Sequence, residues 1–438
     1  MSSTHSYRPP LIRRLLPWIY VAIFLITAPL LVFYTAGYRY NFKKWAVERN
    51  GTLIVDSTPD GGTVWIDGQN TQEKTPVTLQ QLTPGWHTVR VTKDGYGSWQ
   101  EEVLIRTERV TFTDHVRLWK TGEPTLISAG TYVRLENDPN RERLLAFQEG
   151  EAGVRLGWWS PSASASTFLF PTTSTKELNL RWRSDGEAAL LGGTATTPNS
   201  WYVKATRDTT TAELLPPGRY HWSGTELIGV DQQSTLTVDP QTGRIERSPL
   251  NAPALERSGS IEIQNTTSSE QLLLSDSSFL GRLFALPRGN WSIYAWHRPY
   301  LFLSDETRWL GIRLRLGSTP DALRAEGDYP RWSPDSKVPR AAFLNEHEIS
   351  LWSPERAATV IWRQSTPIQN IVWNEEGNVL YVADATRVFA LALDGEQSIQ
   401  AAELGRFDQV WDVAVQGRDI FAVAKRGEER GIFKLPGL

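Results

Sequence analysis

The feature that most limits what this chain can become is one uncharged run, Leu15 to Gly37, followed by sequence that is almost wholly β-patterned. The run holds 23 residues without Asp, Glu, Lys or Arg. At about 1.5 Å rise per residue it covers the ~30 Å hydrocarbon core of a bilayer. Arg13 and Arg14 abut it on one side and Arg39, Lys43 and Lys44 follow on the other, with Trp18, Tyr20, Tyr34, Tyr38, Tyr40 and Trp45 near the two ends. Amphipathic rings prefer that headgroup level. Pro17 is expected in the first helical turn, where a missing N–H costs little, and Pro29 in the interior, where it kinks a helix.

A cleaved signal peptide has a shorter apolar region, ~7–15 residues, ending in small residues. Thr35-Ala36-Gly37 fits that cleavage pattern poorly, so the run is read as an uncleaved signal-anchor. Arg8, Arg13, Arg14 and the free amine precede it, against Arg39, Lys43 and Lys44 after it. Positive charge favours the inside, which predicts a cytoplasmic tail over residues 1–14 and a C-terminal bulk outside the cell membrane. The absence of Cys excludes disulfides, CxxC redox chemistry and thiolate metal sites. A formal charge of −3 gives no support for nucleic-acid binding.

After a juxtamembrane linker, residues 38–50, the period changes to two. Trp86 to Lys93 alternates, with Val89 and Val91 on one face and Thr88, Arg90 and Thr92 on the other. Arg109 to Leu118 is expected to do the same, Val110, Phe112, Val116 and Leu118 sharing one face with Asp114, opposite Thr111, Thr113 and Arg117. Such alternation suits antiparallel strands with one buried face. Turn residues at Pro59-Asp60-Gly61-Gly62, Asp67-Gly68, Thr83-Pro84-Gly85 and Lys93-Asp94-Gly95 separate the strands. A small β-sandwich over residues 51–119 follows.

The segment Ser57-Thr58-Pro59-Asp60-Gly61-Gly62-Thr63-Val64-Trp65-Ile66-Asp67-Gly68 resembles the opening of a PEGA domain. Thr75-Pro76, Pro84-Gly85-Trp86-His87 and Gly95-Tyr96 stand in the order of its later landmarks. Asp60 and Gly62 replace the Glu and Ala of the signature. The resemblance implies a bacterial envelope module outside the membrane, often following a membrane helix, and carries no catalytic residues.

Residues 120–438 show no sustained 3.6-residue apolar stripe. Short apolar runs recur behind a loose motif of an aromatic residue, Ser or Asn, and a turn. The clearest copies begin at Trp182, Trp222, Trp332 and Trp373; weaker ones lie near Asn137-Asp138, Asn265-Thr266, Trp296-His297 and Val415-Gln416-Gly417. A period near ~40–45 residues with four short strands per unit is the signature of a propeller blade. The segment is expected to form a seven- or eight-bladed β-propeller, with two stacked β-sandwiches as the other all-β solution. Trp332-Ser333-Pro334-Asp335 resembles the blade turn of WD40-like and TolB-type propellers. Thr125–Ser128 or Tyr132–Leu135 is expected to pair near Gly431–Leu435 and close the ring.

The six His are scattered without ligand-like spacing, and no nucleophile elbow, Walker A loop or EF-hand loop occurs. No metal or cofactor is expected, and the chain is read as a non-enzyme. Trp is in excess at 19 residues. Because neighbours cannot share a strand face, one of Trp158 and Trp159 is expected to be exposed, which makes this pair the candidate contact for a ligand or partner.

The fold class expected is therefore all-β behind one transmembrane helix. The reading is a membrane-anchored envelope protein whose PEGA stalk presents a propeller that binds a protein or cell-wall polymer. A propeller-based enzyme acting on envelope polysaccharide and a purely structural spacer remain as alternatives.

Overall fold

A computed structural model describes residues 11–35, 38–41, 46–138 and 143–437, apart from stretches of one to nine residues between strands from 152 to 398. Residues 1–10 of the expected tail, and Asp335 of the blade-turn motif, lie outside the described residues.

The uncharged run is helical as far as Thr35, residues 36 and 37 lying outside the described residues, but the helix, α1, spans Leu11–Thr35 and starts earlier than the run. Leu11 to Leu16 are good helix formers and follow Pro9-Pro10, so the helix begins as soon as proline allows. Pro17 is therefore inside the helix, as Pro29 is, and not in the first turn. Its side chains are described over residues 16–32. Trp18, Ile19, Tyr20 and Val21 are 73, 52, 65 and 48 % exposed. Successive helical residues point 100° apart, so over residues 16–32 the helix buries no face. Among the described residues no helix is long and apolar enough to cross a membrane.

Residues 38–50, expected as a linker, contain an antiparallel hairpin of Tyr38–Asn41 and Ala46–Arg49. It returns Arg49 to a position opposite Tyr38. The chain then divides into two compact units, one reaching Thr121 and the other spanning Gly122–Gly437.

The first unit holds a two-sheet sandwich. One sheet orders Val77–Leu82, Gly51–Thr58 and Val110–Arg117; the other orders Gln69–Lys74, Thr63–Ile66, Gly85–Thr92 and Trp99–Ile105. Alternation places Leu53, Val55, Val64, Val89 and Val91 at 0 % exposure between them. Gly51–Thr58 pairs with Val110–Arg117 in parallel, and a register shift falls between Val55 and Ser57. That irregularity corrects the expected face. Val116 and Leu118 are buried, whereas Val110 and Phe112 before it are exposed and Thr113 is buried.

At the Pro59 turn, the hydroxyls of Ser57 and Thr75 bond to each other and Thr75 Oγ1 accepts the Gly62 N–H at 3.0 Å. A Cβ on Gly62 would stand 2.5 Å from Val91 Cγ1. The Ala of the PEGA signature has no room here unless Val91 moves.

The second unit contains, among the described residues, eight four-stranded antiparallel sheets. Their first strands are Tyr132–Asn137, Leu180–Trp182, Arg219–Ser223, Ala254–Ser258, Ser292–His297, Arg331–Trp332, Ile368–Trp373 and Gln409–Gln416. Seven of the eight motif-like sites sit at the end of a first strand; Asn265 instead ends a second strand. Neighbouring sheets share apolar cores. Leu145 and Leu156 meet Ala189 and Leu191, Leu190 and Tyr202 meet Tyr220 and Leu227, and Phe302 and Trp309 meet Phe343 and Trp352. Leu344 and Ile349 meet Ile371 and Leu380.

Last meets first through Ala414, Phe421 and Val423 against Leu135, Leu144 and Trp159. The eighth sheet takes its outer strand from the start of the array. Thr125–Ala129 pairs with Glu429–Leu435, Thr125 opposite Lys434 and Ala129 opposite Gly431. Tyr132–Leu135 does not serve; it opens the next sheet. A ring of sheets closed in this way leaves short sheet edges and has propeller-like architecture.

Candidate functional site

First strands bring charged side chains together from distant parts of the chain. Arg134 and Glu136, two residues apart on Tyr132–Asn137, share a strand face. Arg134 Nε donates to Glu136 Oε1 at 2.8 Å, and its Nη2 donates to the same oxygen. Asp412 arrives from the last first strand and is 2 % exposed. Its Oδ2 accepts the Leu135 N–H at 2.7 Å and its Oδ1 the Val413 N–H at 2.8 Å. Oδ1 also accepts from the Asn370 side-chain amide. Asn370 Oδ1 in turn accepts from Arg331 Nη2 at 3.4 Å. Four sheets thus contribute to one polar cluster.

Backbone irregularities help aim these groups. Register shifts occur between Tyr132 and Arg134, Ile368 and Asn370, and Val410 and Asp412. An extra residue bends a strand and redirects its side chains, a device common beside functional sites.

The cluster splits its carboxyls. Burial, then the charge of Glu136, pushes Asp412 up from 3.8 to about 6, against the lowering effect of the Leu135 N–H, Arg134 and Asn370. Burial would also raise Glu136, but Arg134 and Arg331 outweigh it and hold Glu136 below its ordinary value. The same field raises Arg134, against the opposing effect of burial.

Two carboxyls pushed apart are the pattern of an acid–base pair. Here, however, both oxygens of Asp412 are engaged by the protein and the residue is buried. Proton transfer to an outside substrate requires these strands to part. What the arrangement does as it stands is link the two ends of the array. Among the described residues, no group of three His, Asp or Glu side chains is placed to hold a metal ion.

The recurring aromatic motif has a matching structural role. Trp222 Nε1 donates to the Arg181 carbonyl at 2.8 Å and Trp373 Nε1 to the Arg331 carbonyl at 2.7 Å, each reaching the preceding sheet's first strand. At the ring closure Asn137 replaces the indole, its Nδ2 donating to the Val415 carbonyl. A second repeated contact runs the other way. Arg143 Nη2 donates to the Gly186 carbonyl at 3.3 Å and Arg340 Nη2 to that of Gly377 at 2.6 Å. Gly186 and Gly377 adopt φ of 76° and 70°, the left-handed turn conformation that glycine favours.

Trp158 and Trp159, the expected contact pair, do point to opposite faces of their strand, but neither is exposed, at 8 and 7 %. Both faces of the strand are covered by neighbouring sheets. Trp158 stacks on Trp182 at 5.7 Å with Arg143 4.1 Å above its ring. Trp159 meets Phe421 edge-on at 5.1 Å. Opposite faces therefore lead to two packed cores and leave neither ring in solvent.

Arg134, Glu136, Asn370 and Asp412 escaped the sequence reading. A signal was present: the Arg331–Asn370 and Asn370–Asp412 contacts span 39 and 42 residues, close to the repeat period. Polar residues at one phase of successive repeats must converge on one end of a ring.

Residues 50–118 match the PEGA domain family. No curated protein matches the chain in sequence. Among solved structures, apo AztD from Citrobacter koseri is 13% identical with a TM-score of 0.44, covering 68% of this chain and 99% of its own. The C-terminal WD40 domain of Sif2 is 12% identical with a TM-score of 0.43, covering 73% and 99%. Hsv2p of Kluyveromyces lactis is 10% identical with a TM-score of 0.34, covering 59% and 96%. At these scores the strand pairing within the second unit, and not the likeness, carries the propeller-like description.

Proposed function

We propose that this protein is a single-pass, membrane-anchored binding or scaffold protein of the bacterial envelope, with an eight-bladed β-propeller outside the cell membrane. The observation that carries the reading is the helix Leu11–Thr35, whose large apolar side chains over residues 16–32 are exposed around its circumference. Leaving exposed apolar side chains in water is unfavourable by roughly 25 cal/mol per Å², and a bilayer removes that cost. Trp18 and Tyr20 near one end suit an interfacial belt. The PEGA match supports an extracytoplasmic setting by family analogy.

The satisfied state of the charged cluster supports a binding role over catalysis. Its residues hold first strands together, which leaves a rigid ring as a platform for a protein or a cell-wall polymer. Trp158 and Trp159 are not part of that platform's surface.

The test uses the full chain in detergent, incubated with purified cell-wall sacculi and separately with solubilised envelope proteins. Saturable retention of one of these without release of reducing sugar supports the reading. Sugar release that is abolished in Asp412→Asn assigns an enzyme instead.

A further inference from the structure

The sandwich of residues 51–119 has two unlike ends. Gly51–Thr58 starts at one of them, and Val110–Arg117, parallel to it with Thr52 opposite Val110, starts at the same one. The Thr83-Pro84-Gly85 turn also lies there, because Leu82 pairs with Gly51. So does the loop from Arg106 to Arg109, since the Glu108 N–H donates to the Asn50 carbonyl at 3.2 Å. The other end carries the Pro59-Asp60-Gly61 and Lys93-Asp94-Gly95 turns, and from it the chain leaves through Trp119.

All the exposed large hydrophobics described in this sandwich sit towards the entry end. Trp86 is 67 % exposed, Val110 49 % and Phe112 61 %. They are split between its two outer faces. Trp86 is on Gly85–Thr92 of the four-stranded sheet, one residue before buried His87. Val110 and Phe112 are on the three-stranded sheet, beside Thr52 and Ile54, on the side away from buried Leu53 and Val55. Phe112 lies two residues, ~7 Å, in from Val110. Arg106 and Arg109, with Glu108 between them in sequence, are exposed in the loop at this end, a local excess of one positive charge.

This end is also tied closely to the helix. Arg49 pairs with Tyr38, three residues after the helix ends at Thr35. Extended-chain and ladder spacings then place Gly51 at most about 23 Å from Thr35.

We infer that the entry end of the PEGA-type sandwich is seated in the lipid surface, Trp86, Val110 and Phe112 entering the headgroup region and Arg106 and Arg109 meeting anionic headgroups. The inference rests on the membrane anchor proposed above. A partner protein docking on one face would find only one or two of the three apolar groups. A plane lying across the strand ends meets the rings on both faces. Interfacial elements enter by ~5–10 Å, which is enough to reach Phe112 from the tip. Basic side chains near an anionic surface add attraction that salt screens.

The chain has no Cys, so single thiols report cleanly. Full-length Ile23→Cys, Phe112→Cys and Asp60→Cys are each labelled with an environment-sensitive fluorophore. They are reconstituted in phosphatidylcholine–phosphatidylglycerol vesicles containing a nitroxide lipid. Docking predicts quenching at 112 about threefold or more above that at 60, and weaker quenching at 112 in phosphatidylcholine alone. Equal quenching at 112 and 60, with 23 quenched, overturns the docking and leaves the anchor standing. A label at 112 shielded from aqueous iodide yet not quenched by lipid assigns the face to a protein contact and also overturns it. No quenching at 23 removes the anchor itself. Trp86→Ala, in the Phe112→Cys background, is expected to lower quenching at 112 while leaving 23 unchanged.

Discussion

The two units bury their residues by different geometries. In the sandwich, one face of each sheet meets the core, so Gly51–Thr58 alternates buried and half-buried along most of its length. In the ring, sheets are stacked against neighbours on both sides, and Val379–Asp384 and Ala188–Gly192 are buried at every position. Alternation is thus a guide to the first unit and a false guide to the second. Trp158 and Trp159 show the difference most directly, since opposite faces lead to two cores and to no solvent.

The largest test of this contrast is Trp373→Ala. Trp373 is 1 % exposed and bonds the preceding sheet, so its loss should destabilise the second unit by about 3–5 kcal/mol. Hydrogen exchange resolved by mass spectrometry should show faster exchange across the ring and none of it in residues 51–118. Spread of the effect into the sandwich would mean that the two units unfold together.

A second test uses pH. The folded state raises Asp412 above its unfolded value, so its contribution is full below about 3.8 and is lost as pH rises through about 6. The loss is on the order of 2–3 kcal/mol. Denaturant unfolding of the ring at pH 4 and pH 7 should show this slope, and Asp412→Asn, neutral at both, should flatten it. Asp384 has the opposite sign. Burial would raise it, but bonds from Arg387 and the Thr386 N–H lower it, so its contribution is present at neutral pH and lost on acidification.

Closure of the ring is probed by Gly431→Ala. A Cβ there would lie 2.0 Å from the Ser128 carbonyl oxygen, part of the backbone pairing between first and last strands. Overpacking of this kind costs about 1–3 kcal/mol, and exchange should rise first in residues 125–129 and 429–435. The smallest effect is expected in the sandwich. Thr75→Val removes the bonds to Ser57 and Gly62, for about 1 kcal/mol, read from thermal unfolding of the same protein.

Much of the architecture was legible because it is written in local signals. Turn chemistry at Pro59, Gly68 and Gly85, alternation at Val89 and Val91, and recurring Trp positions all act over a few residues. Two features were hidden. The shift near Ser57 reverses the face of Val110 and Phe112, and a bulge leaves no composition trace. The charged cluster joins Leu135 to Asp412 across 277 residues, a proximity that only ring closure creates.

That closure also has a consequence in time. Thr125–Ala129 must wait for a partner made about 300 residues later. At about 5–20 residues per second of synthesis, the delay is ~15–60 s. Through that interval its backbone donors and acceptors have no strand to join, and the final sheet consists of its outer member alone until residues 409–435 are made. Such an open edge invites pairing with other chains, so the newborn ring is most vulnerable just before its last strand arrives.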